Sequence, residues 1–245
     1  MDLIERDSKV TVGAVVSRFG VSAVTARADL SALARAGALR RSHGGAVKTP
    51  DAILDYPLKL KEGLHHAEKV RIAQRAAELL APKQTVILDS GTTTAEIARQ
   101  IKNRSIGPLT VITNALNIGT ELADAPLVSL IMIGGILRPM SNSFVGPQAE
   151  RMLDDLHAHH FFLGVDGLDP QYGLSTPGIL EAQLNARMIG ISDRVTVVAD
   201  ASKMGRRSLS IIGPITRVHS LITDSSVTDE MRNAITKAGV SVIIA

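Results

Sequence analysis

The sequence predicts two domains, a small helical domain over residues 1–48 and a larger α/β domain with a mainly parallel sheet over residues 65–245. Three observations predict this architecture. Apolar residues recur at helical spacing between Thr11 and Gly37, a turn-rich stretch without periodicity occupies residues 49–64, and short apolar strands then alternate with helices. Fully apolar strands that alternate with helices are typical of a parallel sheet covered on both faces.

Composition excludes several kinds of chemistry. With 245 residues, 45% of them hydrophobic, the chain is long enough for one sizeable core and a small second domain. Because it contains no cysteine, disulfides, thiolate metal sites and cysteine nucleophiles are excluded. No run approaches the roughly eighteen apolar residues of a membrane span, and Met1–Arg6 lacks the residue order of a secretion signal. We therefore expect a soluble, cytoplasmic protein with no membrane partner.

Positive charge is concentrated near the N-terminus. The formal net charge is +3, but residues 1–50 hold eight Lys or Arg against four acids, a net charge of +4. The other 195 residues hold nineteen against twenty, a net charge of −1. A basic surface attracts phosphate polyanions, although charge alone is equally typical of a solvated face.

The basic segment has the pattern of two short helices joined by a glycine turn. The apolar residues of Thr11–Phe19 fall at helical spacing, Gly20 supplies a left-handed turn, and Ser22 is placed to cap a second helix that ends at Gly37. In a helix-turn-helix the second helix enters the major groove of DNA, and its N-terminal residues reach base edges. The candidate DNA-reading residues are Ser22, Ala23, Thr25, Ala26 and Arg27.

A basic hairpin follows, in the position of a wing. The stretch Ala38–Val47 contains Arg40, Arg41 and His43 beside a glycine pair. These three side chains are candidates for contacts to phosphates or the minor groove, which add salt-dependent affinity. The sequence thus predicts a winged helix-turn-helix, with protein contacts by the wing as an alternative.

The stretch FGVSAVTARADLSALARAGALRRSHGGA, from Phe19 to Ala46, resembles the N-terminal domain of the DeoR family of bacterial repressors. The resemblance implies a double-stranded DNA operator as partner. The family usually carries two adjacent basic or polar residues after the Thr of the second helix, whereas here Arg27 is followed by Ala28. It also has a longer stretch before the position of Ile4, so residues 1–7 would correspond to the end of its first helix.

The larger domain is predicted to begin near His65. The expected order is helix 67–80, strand 85–88, helix 94–101, strand 109–113, helix 115–123 and strand 127–133, then strands at 160–165, 195–199, 219–222 and 240–244. In an open sheet of this kind ligands bind outside the carboxyl ends of the strands. Polar residues that directly follow a strand are therefore the candidates for a binding site.

The first polar cluster leaves a strand and opens a helix. It consists of Asp89, Ser90, Gly91, Thr92, Thr93 and Thr94. Free N–H groups at a helix start, with glycine flexibility and hydroxyl donors, form a pocket suited to phosphate, while plain N-capping by threonine is the alternative. The loop lacks the Gly-Lys-Ser/Thr ending of a P-loop and the dinucleotide fingerprint, so ATP, NAD or another cofactor is not expected.

Four further clusters follow later strands. Their candidate effector-binding residues are Asn114, Gly135, Arg138, Asp166, Glu181 and Lys203. Each alone has an ordinary alternative: a helix cap, a turn, or an ion pair at the surface. Together they favour one pocket. The histidines show no metal-ligand spacing, so no metal site is expected.

The stretches LDSGTTTAEIA, TNAL, GGILR, LGVDGL, STPGILEAQLNARM and ADASK resemble, in order, the effector domain of the same family. SNSFVGPQAE and STPGILEAQLNARM look closest to its regulators of amino-sugar utilisation, such as N-acetylgalactosamine repressors. The family's effector domain is similar to the fold of ribose-phosphate isomerase and glucosamine-phosphate deaminase, whose ligands are sugar phosphates. The resemblance implies that residues 90–94 take the phosphate and that Asp166, Asp169 and Glu181 lie in a stretch resembling the isomerase active site.

Three functions follow as hypotheses. The first is a repressor without catalytic residues, a homo-oligomer (dimer or tetramer) that leaves its operator when a phosphorylated sugar binds the second domain. The second is a sugar-phosphate isomerase or deaminase, ranked lower because residues 173–177 stand where those enzymes have a lysine and a glycine run. The third is a protein-binding adaptor whose winged helix no longer reads DNA.

Overall fold

The computed structural model describes residues 3, 7–35, 39–48 and 55–245. It divides the chain into two units, residues 1–64 and 65–245. The predicted end of the second helix at Gly37 and most of the predicted first-helix remnant lie outside the described residues.

The first unit contains two helices and a three-stranded antiparallel sheet of order β1-β3-β2. Its elements are β1 (Lys9–Thr11), α1 (Val12–Phe19), α2 (Ala23–Arg35), β2 (Leu39–Ser42) and β3 (Gly45–Lys48). The core of this unit consists of Val10, Val15, Ala26, Leu30, Leu39 and Ala46. The predicted helix pair and hairpin are confirmed, whereas β1 is too short for periodicity to predict.

Local hydrogen bonds set the ends of these helices. The Thr11 Oγ1 accepts from the Ala14 N–H at 3.1 Å, and the Ser22 Oγ accepts from the Thr25 N–H at 3.1 Å. Gly20 ends α1 with φ at +64°, a left-handed conformation that glycine adopts without strain.

The stretch predicted as an irregular connector contains a short helix. Helix α3 spans Leu58–Gly63, directly after Pro57, and its first residue is buried. Proline fixes φ near the helical value, and Leu, Lys and Glu are good helix formers, which explains why a helix begins there.

The second unit is built on a seven-stranded sheet in which all paired strands are parallel. Its strands are β4 (Thr85–Leu88), β5 (Leu109–Thr113), β6 (Val128–Met132), β9 (Ala158–Leu163), β12 (Ser192–Val198), β14 (Ser220–Thr223) and β15 (Ser241–Ile244). Its helices are α4 (His66–Ala77), α5 (Thr92–Asn103), α6 (Leu116–Leu122), α7 (Pro147–Arg151), α8 (Ile179–Gly190) and α9 (Asp229–Lys237). The predicted parallel sheet is confirmed.

Two small antiparallel sheets accompany the large one. The hairpin pairs β7 (Ile136–Arg138) with β8 (Ser143–Val145). The other sheet joins β10 (Gly167–Asp169), β11 (Gly173–Thr176) and β13 (Ser210–Gly213). Each consists of strands of three or four residues, too short for the alternation that predicts a strand.

Alternate residues of the central strands fill two hydrophobic layers. Within β4, Val86 and Leu88 belong to a layer with residues of α4, α5 and α6, whereas Ile87 belongs to a layer with residues of α7, α8 and α9. Because successive side chains of a strand point to opposite faces, helices cover both faces of the sheet.

The order of the strands predicts a crevice at the centre of the sheet. The order is β15-β14-β12-β9-β4-β5-β6, so the chain runs outward from β4 toward one edge and from β9 toward the other. Ligands of open α/β sheets bind at such a switch point, outside the carboxyl ends of the strands. Asp89 follows β4 and Gly164 follows β9, and both therefore lie at this point.

Candidate DNA-reading surface and candidate ligand crevice

The start of α2 presents an exposed polar surface. Ser22, Ala23, Thr25 and Arg27, four of the residues predicted to read DNA, are all exposed. The Ser22 and Thr25 hydroxyl oxygens lie 2.8 Å apart and hold the first turn of the helix. This surface is the candidate DNA-reading face.

Ala26 does not belong to that surface. The prediction that it reads DNA is wrong, because its side chain is fully buried in the core of the first unit. Ala26 and Leu30 are four residues apart and therefore share the inward face of α2. Val24 is 74% exposed and lies on the outward face of the helix.

The hairpin places its basic residues outward. Arg40 and Arg41 on β2 and His43 in the turn are exposed, as a wing requires. The hairpin is held close to β1: a Cβ atom added to Gly45 would lie 2.1 Å from the Val10 carbonyl oxygen. Only glycine fits there, so the position of the wing is fixed by backbone contact.

In the second unit, the crevice contains a buried carboxyl group between two glycines. The Asp89 Oδ2 accepts from the Gly164 N–H at 3.0 Å, which ties the end of β4 to the end of β9. A Cβ added to Gly91 would lie 3.3 Å from the Asp89 Oδ1, and one added to Gly164 would lie 3.4 Å from it. The glycines therefore let the backbone approach this carboxyl group closely.

A second carboxyl group connects three segments of the crevice. The Ser90 hydroxyl donates to the Glu181 Oε1 at 2.9 Å across 91 positions of sequence. The Thr176 hydroxyl lies 3.3 Å from both the Glu181 Oε2 and the Asp166 Oδ2. Asp89, Asp166 and Glu181, which we call the carboxyl cluster, lie near one another.

Arg138 joins the cluster from the β7–β8 hairpin. Its Nη1 lies 3.7 Å from the Glu181 Oε2 and donates to the Ser141 hydroxyl at 3.0 Å. That hydroxyl lies 2.7 Å from the hydroxyl of Ser143. The guanidinium group is therefore held beside the carboxyl cluster by its own hairpin.

The sequence allows the threonine run in the first turn of α5 to be a helix cap or a phosphate pocket, and the structure shows the cap directly. The Thr94 hydroxyl accepts from the Gly91 N–H at 2.9 Å and lies 2.9 Å from the Asp89 carbonyl oxygen, so it caps the helix. Thr93 is buried and Thr92 is half-buried in the same turn. The N–H groups of a first helical turn have no acceptor within the helix.

Asn114 lies at the end of β5 and is fully buried. Its Nδ2 donates to the Phe144 carbonyl oxygen at 2.9 Å, which links it to the hairpin that carries Arg138. Its Oδ1 is buried without a hydrogen-bond partner among the described residues. A buried acceptor of this kind is available to a ligand hydroxyl group.

Three predicted residues are not joined to the carboxyl cluster by any described contact. Gly135 is exposed, and a Cβ there would meet the Val145 carbonyl oxygen at 2.7 Å, so it serves the packing of the hairpin. Lys203 is half-buried in a 3₁₀ turn that Asp200 caps. Asp169 accepts from two backbone N–H groups of its own turn and from the Arg207 Nε at 3.0 Å, which makes it a brace for β10 and β11.

Burial determines the protonation of Asp89. Burial, with a smaller contribution from the nearby carboxyl groups of Glu181 and Asp166, raises the pKa of Asp89 to about 8, although the Gly164 N–H and the Thr94 hydroxyl oppose this rise. Around neutral pH the group is a carboxylic acid and holds a proton. The crevice therefore offers a hydroxyl donor where the sequence suggests a carboxylate.

Two residues of the crevice were harder to foresee. Gly164 holds Asp89 through its N–H, and Thr176 bridges Asp166 and Glu181. Gly164 directly follows a strand, which is the signal that could have identified it. Within the described residues no group of three His, Asp or Glu is arranged to hold a metal ion, and no helix has the length and hydropathy to cross a membrane.

Comparison with protein families gives both units a match. Residues 1–50 match the DeoR-like helix-turn-helix domain, and residues 64–225 match the DeoR C terminal sensor domain. A chain that joins a winged helix-turn-helix to a sensor domain is a transcriptional regulator that binds DNA. It belongs to the DeoR family, as the sequence resemblance predicts.

Relatives across nearly the whole chain agree with this assignment. A protein named as an aga operon transcriptional repressor in Escherichia coli O157:H7 is 39% identical over 98% of this chain and 90% of its own length. Transcriptional repressor AccR of Agrobacterium fabrum is 36% identical over 92% of this chain and 87% of its own. These relatives are named as repressors, which supports a regulator and disfavours the enzyme hypothesis.

Among solved structures, ribose 5-phosphate isomerase A from Methanocaldococcus jannaschii is similar over 57% of this chain and 55% of its own, with a TM-score of 0.41 and 16% identity. Neither the family assignment nor the function rests on this similarity.

Proposed function

We propose that this chain represses an operon for the use of a sugar or amino sugar and leaves its operator when a phosphorylated sugar binds the crevice of the second unit. The observation that carries the proposal is the crevice itself. Its carboxyl cluster, its guanidinium group and the N-terminus of α5 lie near the strand switch point of a sensor domain.

The phosphate group is proposed to bind at the N-terminus of α5. A helix N-terminus supplies N–H donors and a positive dipole end. Since the Thr94 hydroxyl is used by the helix cap and the Ser90 hydroxyl donates to Glu181, the contacts fall to the backbone N–H groups of this turn and to the hydroxyls of Thr92 and Thr93. Arg138 is held close enough to the cluster to add a charge-assisted contact.

The sugar ring is proposed to lie against the carboxyl cluster and Asn114. Carboxylate oxygens of Asp166 and Glu181 and the buried Asn114 Oδ1 are acceptors, which suit hydroxyl or ammonium groups of a ligand. This chemistry fits an amino sugar as well as a neutral sugar. The relative named for the aga operon supports the amino-sugar subgroup that SNSFVGPQAE and STPGILEAQLNARM suggest.

Operator DNA is proposed to contact the exposed start of α2 and the wing. The base-reading side chains would be Ser22, Ala23, Thr25 and Arg27, with Arg40, Arg41 and His43 on phosphates or in the minor groove. Because operators read this way are repeated, the chain is proposed to act as a homo-oligomer in the cytoplasm, assembled through its second unit. Ligand binding would shift the population toward an arrangement with weak DNA affinity.

A two-part binding experiment tests the proposal. Thermal shift of the full chain is measured with a panel of sugar phosphates and their unphosphorylated counterparts, and DNA from its own upstream region is titrated at two salt concentrations with and without the best ligand. We expect a phosphorylated ligand to raise the Tm by mass action and to weaken DNA binding. Equal stabilisation by an unphosphorylated sugar would contradict the proposal, and so would an affinity for DNA that does not change when the ligand is added.

A matched pair of variants connects the response to α5. Thr92→Ala is expected to abolish ligand-induced stabilisation while DNA binding persists, because Thr92 lies in the proposed phosphate turn. Thr236→Ala, at an exposed helical threonine of α9, is expected to respond like the unmodified chain. An unchanged response of Thr92→Ala would remove this turn from the pocket.

A further inference from the structure

The two side-chain oxygens of Asp89 differ in their hydrogen bonding. The Oδ2 accepts from the Gly164 N–H, but the Oδ1 is buried and has no hydrogen-bond partner among the described residues. It lies beside Gly91, the residue that precedes the first turn of α5. An unpartnered buried polar atom is uncommon and marks a place where a partner is missing.

The surroundings of Asp89 favour its neutral form. Glu181 of α8 and Asp166 after β9 are the titratable groups that face it, and both are acidic. The guanidinium of Arg138 lies beside Glu181 at 3.7 Å. Burial and the two carboxyl groups together raise the pKa of Asp89 to about 8.

A neutral carboxylic acid can donate a hydrogen bond, which a carboxylate cannot do. It carries one O–H donor, whereas the ionised group only accepts hydrogen bonds. The Oδ2 is occupied by a donor, the Gly164 N–H, so the proton belongs on the Oδ1. That O–H borders the same helix start whose N–H groups lack acceptors.

We propose that the Asp89 Oδ1–H donates a hydrogen bond to an oxyanion bound at the N-terminus of α5, so that anion binding requires a proton on Asp89. This proposal rests on the proposed function, because it deepens the same anion site. The proton stays on Asp89, and no covalent bond is made or broken. Asp89 thereby selects for an anionic ligand group over a cationic one at this position.

The direction of the pH dependence separates an anion from an ammonium group. Ionised Asp89 would repel an oxyanion and offer it no donor, so affinity for an anion falls as pH rises above about 8, by up to about tenfold per pH unit. A ligand ammonium group on the Oδ1 would have the opposite effect, with affinity rising over the same interval. The sign of the change in affinity with pH therefore distinguishes an anionic ligand group from an ammonium group at this position.

Sulfate is the probe because sulfate does not titrate in this pH range. Any proton taken up on binding therefore belongs to the protein. Sulfate binding to the full chain is measured by calorimetry near pH 7 and near pH 9, in buffers of different ionisation enthalpy. We expect about tenfold weaker binding near pH 9 and uptake of about one proton on binding there. The proton count needs no variant and holds even if a substitution fails to fold.

Two substitutions assign the effect to Asp89. Asp89→Asn keeps an N–H donor at this position, so we expect it to bind sulfate with similar affinity at both pH values. Asp193→Asn, at an exposed aspartate that bonds His157, is expected to keep the pH dependence of the unmodified chain.

The outcomes separate the two proposals. Sulfate binding without proton uptake, a slope that persists in Asp89→Asn, or affinity that rises with pH would each overturn the role of Asp89 and leave the anion site in place. Failure of sulfate and of every sugar phosphate to bind at either pH would overturn both.

Discussion

The two units carry their functional side chains in opposite ways. In the first unit the candidate DNA-reading residues are exposed and the core is a separate set of apolar residues. In the second unit Asp89, Ser90 and Glu181 of the candidate ligand crevice are buried, and they form hydrogen bonds with one another and with the backbone at the end of β9. The reading surface is therefore separable from the fold, whereas in the crevice the same atoms serve stability and binding.

The largest expected effect tests whether the units unfold independently. Gly173 has φ at +86°, and a Cβ there would lie 2.2 Å from the Gly213 carbonyl oxygen, so Gly173→Ala should destabilise the second unit by about 3 kcal/mol. Gly45→Ala should destabilise the first unit by a similar amount and leave the second unit unchanged. Gly190→Ala, with open space around its Cβ, is the control for unchanged stability. Differential scanning calorimetry of the full chain measures each transition, and a joint shift would contradict the separation.

Removal of Glu181 should cost both stability and binding. Glu181→Ala leaves the buried Ser90 hydroxyl without its acceptor, which we expect to destabilise the second unit by about 2 kcal/mol and to abolish the ligand response. Glu181→Gln retains an acceptor oxygen and should recover part of the stability. Glu230→Ala, exposed on α9, is the matched control. Loss of binding at full stability would show that the crevice is not part of the fold.

The protonation of Asp89 predicts that the second unit loses stability as pH rises. The unfolded chain releases this proton above about pH 4, whereas the folded chain keeps it until about pH 8, so stability falls between these values. Burial lowers the pKa of His160 to about 4, which opposes the effect below about pH 6.5. Between about pH 6.5 and 8 we expect a loss of about 2 kcal/mol in denaturant titrations. Asp89→Asn should show no such decline; an equal decline in that variant would assign the effect to another group.

Arg27→Ala should have the smallest effect on stability and a large effect on the affinity for DNA. Arg27 is exposed, so Arg27→Ala should change the free energy of unfolding by less than about 0.5 kcal/mol. Its affinity for operator DNA should fall by about 1–3 kcal/mol, while ligand-induced stabilisation persists. Arg217→Ala, exposed in the second unit, controls for the loss of one charge. Fluorescence anisotropy with labelled DNA measures the difference; comparable losses in the two variants would argue against a reading role.

Sequence patterns predict the regular elements of this protein well because those patterns are local. Strand Thr85–Leu88 is four apolar or β-branched residues bounded by polar ones, and its bounds agree with the structure. The sequence also places polar groups at strand ends. It does not show which of them meet, since the Ser90–Glu181 contact depends on the order of the strands.

What the sequence does not show has physical causes of the same kind. Ala26 and Ala23 look alike in sequence, and only the rotation of α2 against its core decides which one is buried. Asp169 follows the pattern of a site residue, but its carboxylate is used by its own turn and by Arg207. The protonated state of Asp89 depends on burial and on two carboxyl groups far away in sequence.

The contact between Ser90 and Glu181 also imposes an order of events during synthesis. A ribosome completes the first unit long before residue 181 emerges, and domains generally fold as units in the order of their synthesis. The nascent protein therefore completes its candidate DNA-reading surface before its candidate ligand crevice. Any chain truncated before α8 would lack the Ser90–Glu181 contact, and the Ser90 hydroxyl just after β4 would be left without its carboxyl acceptor.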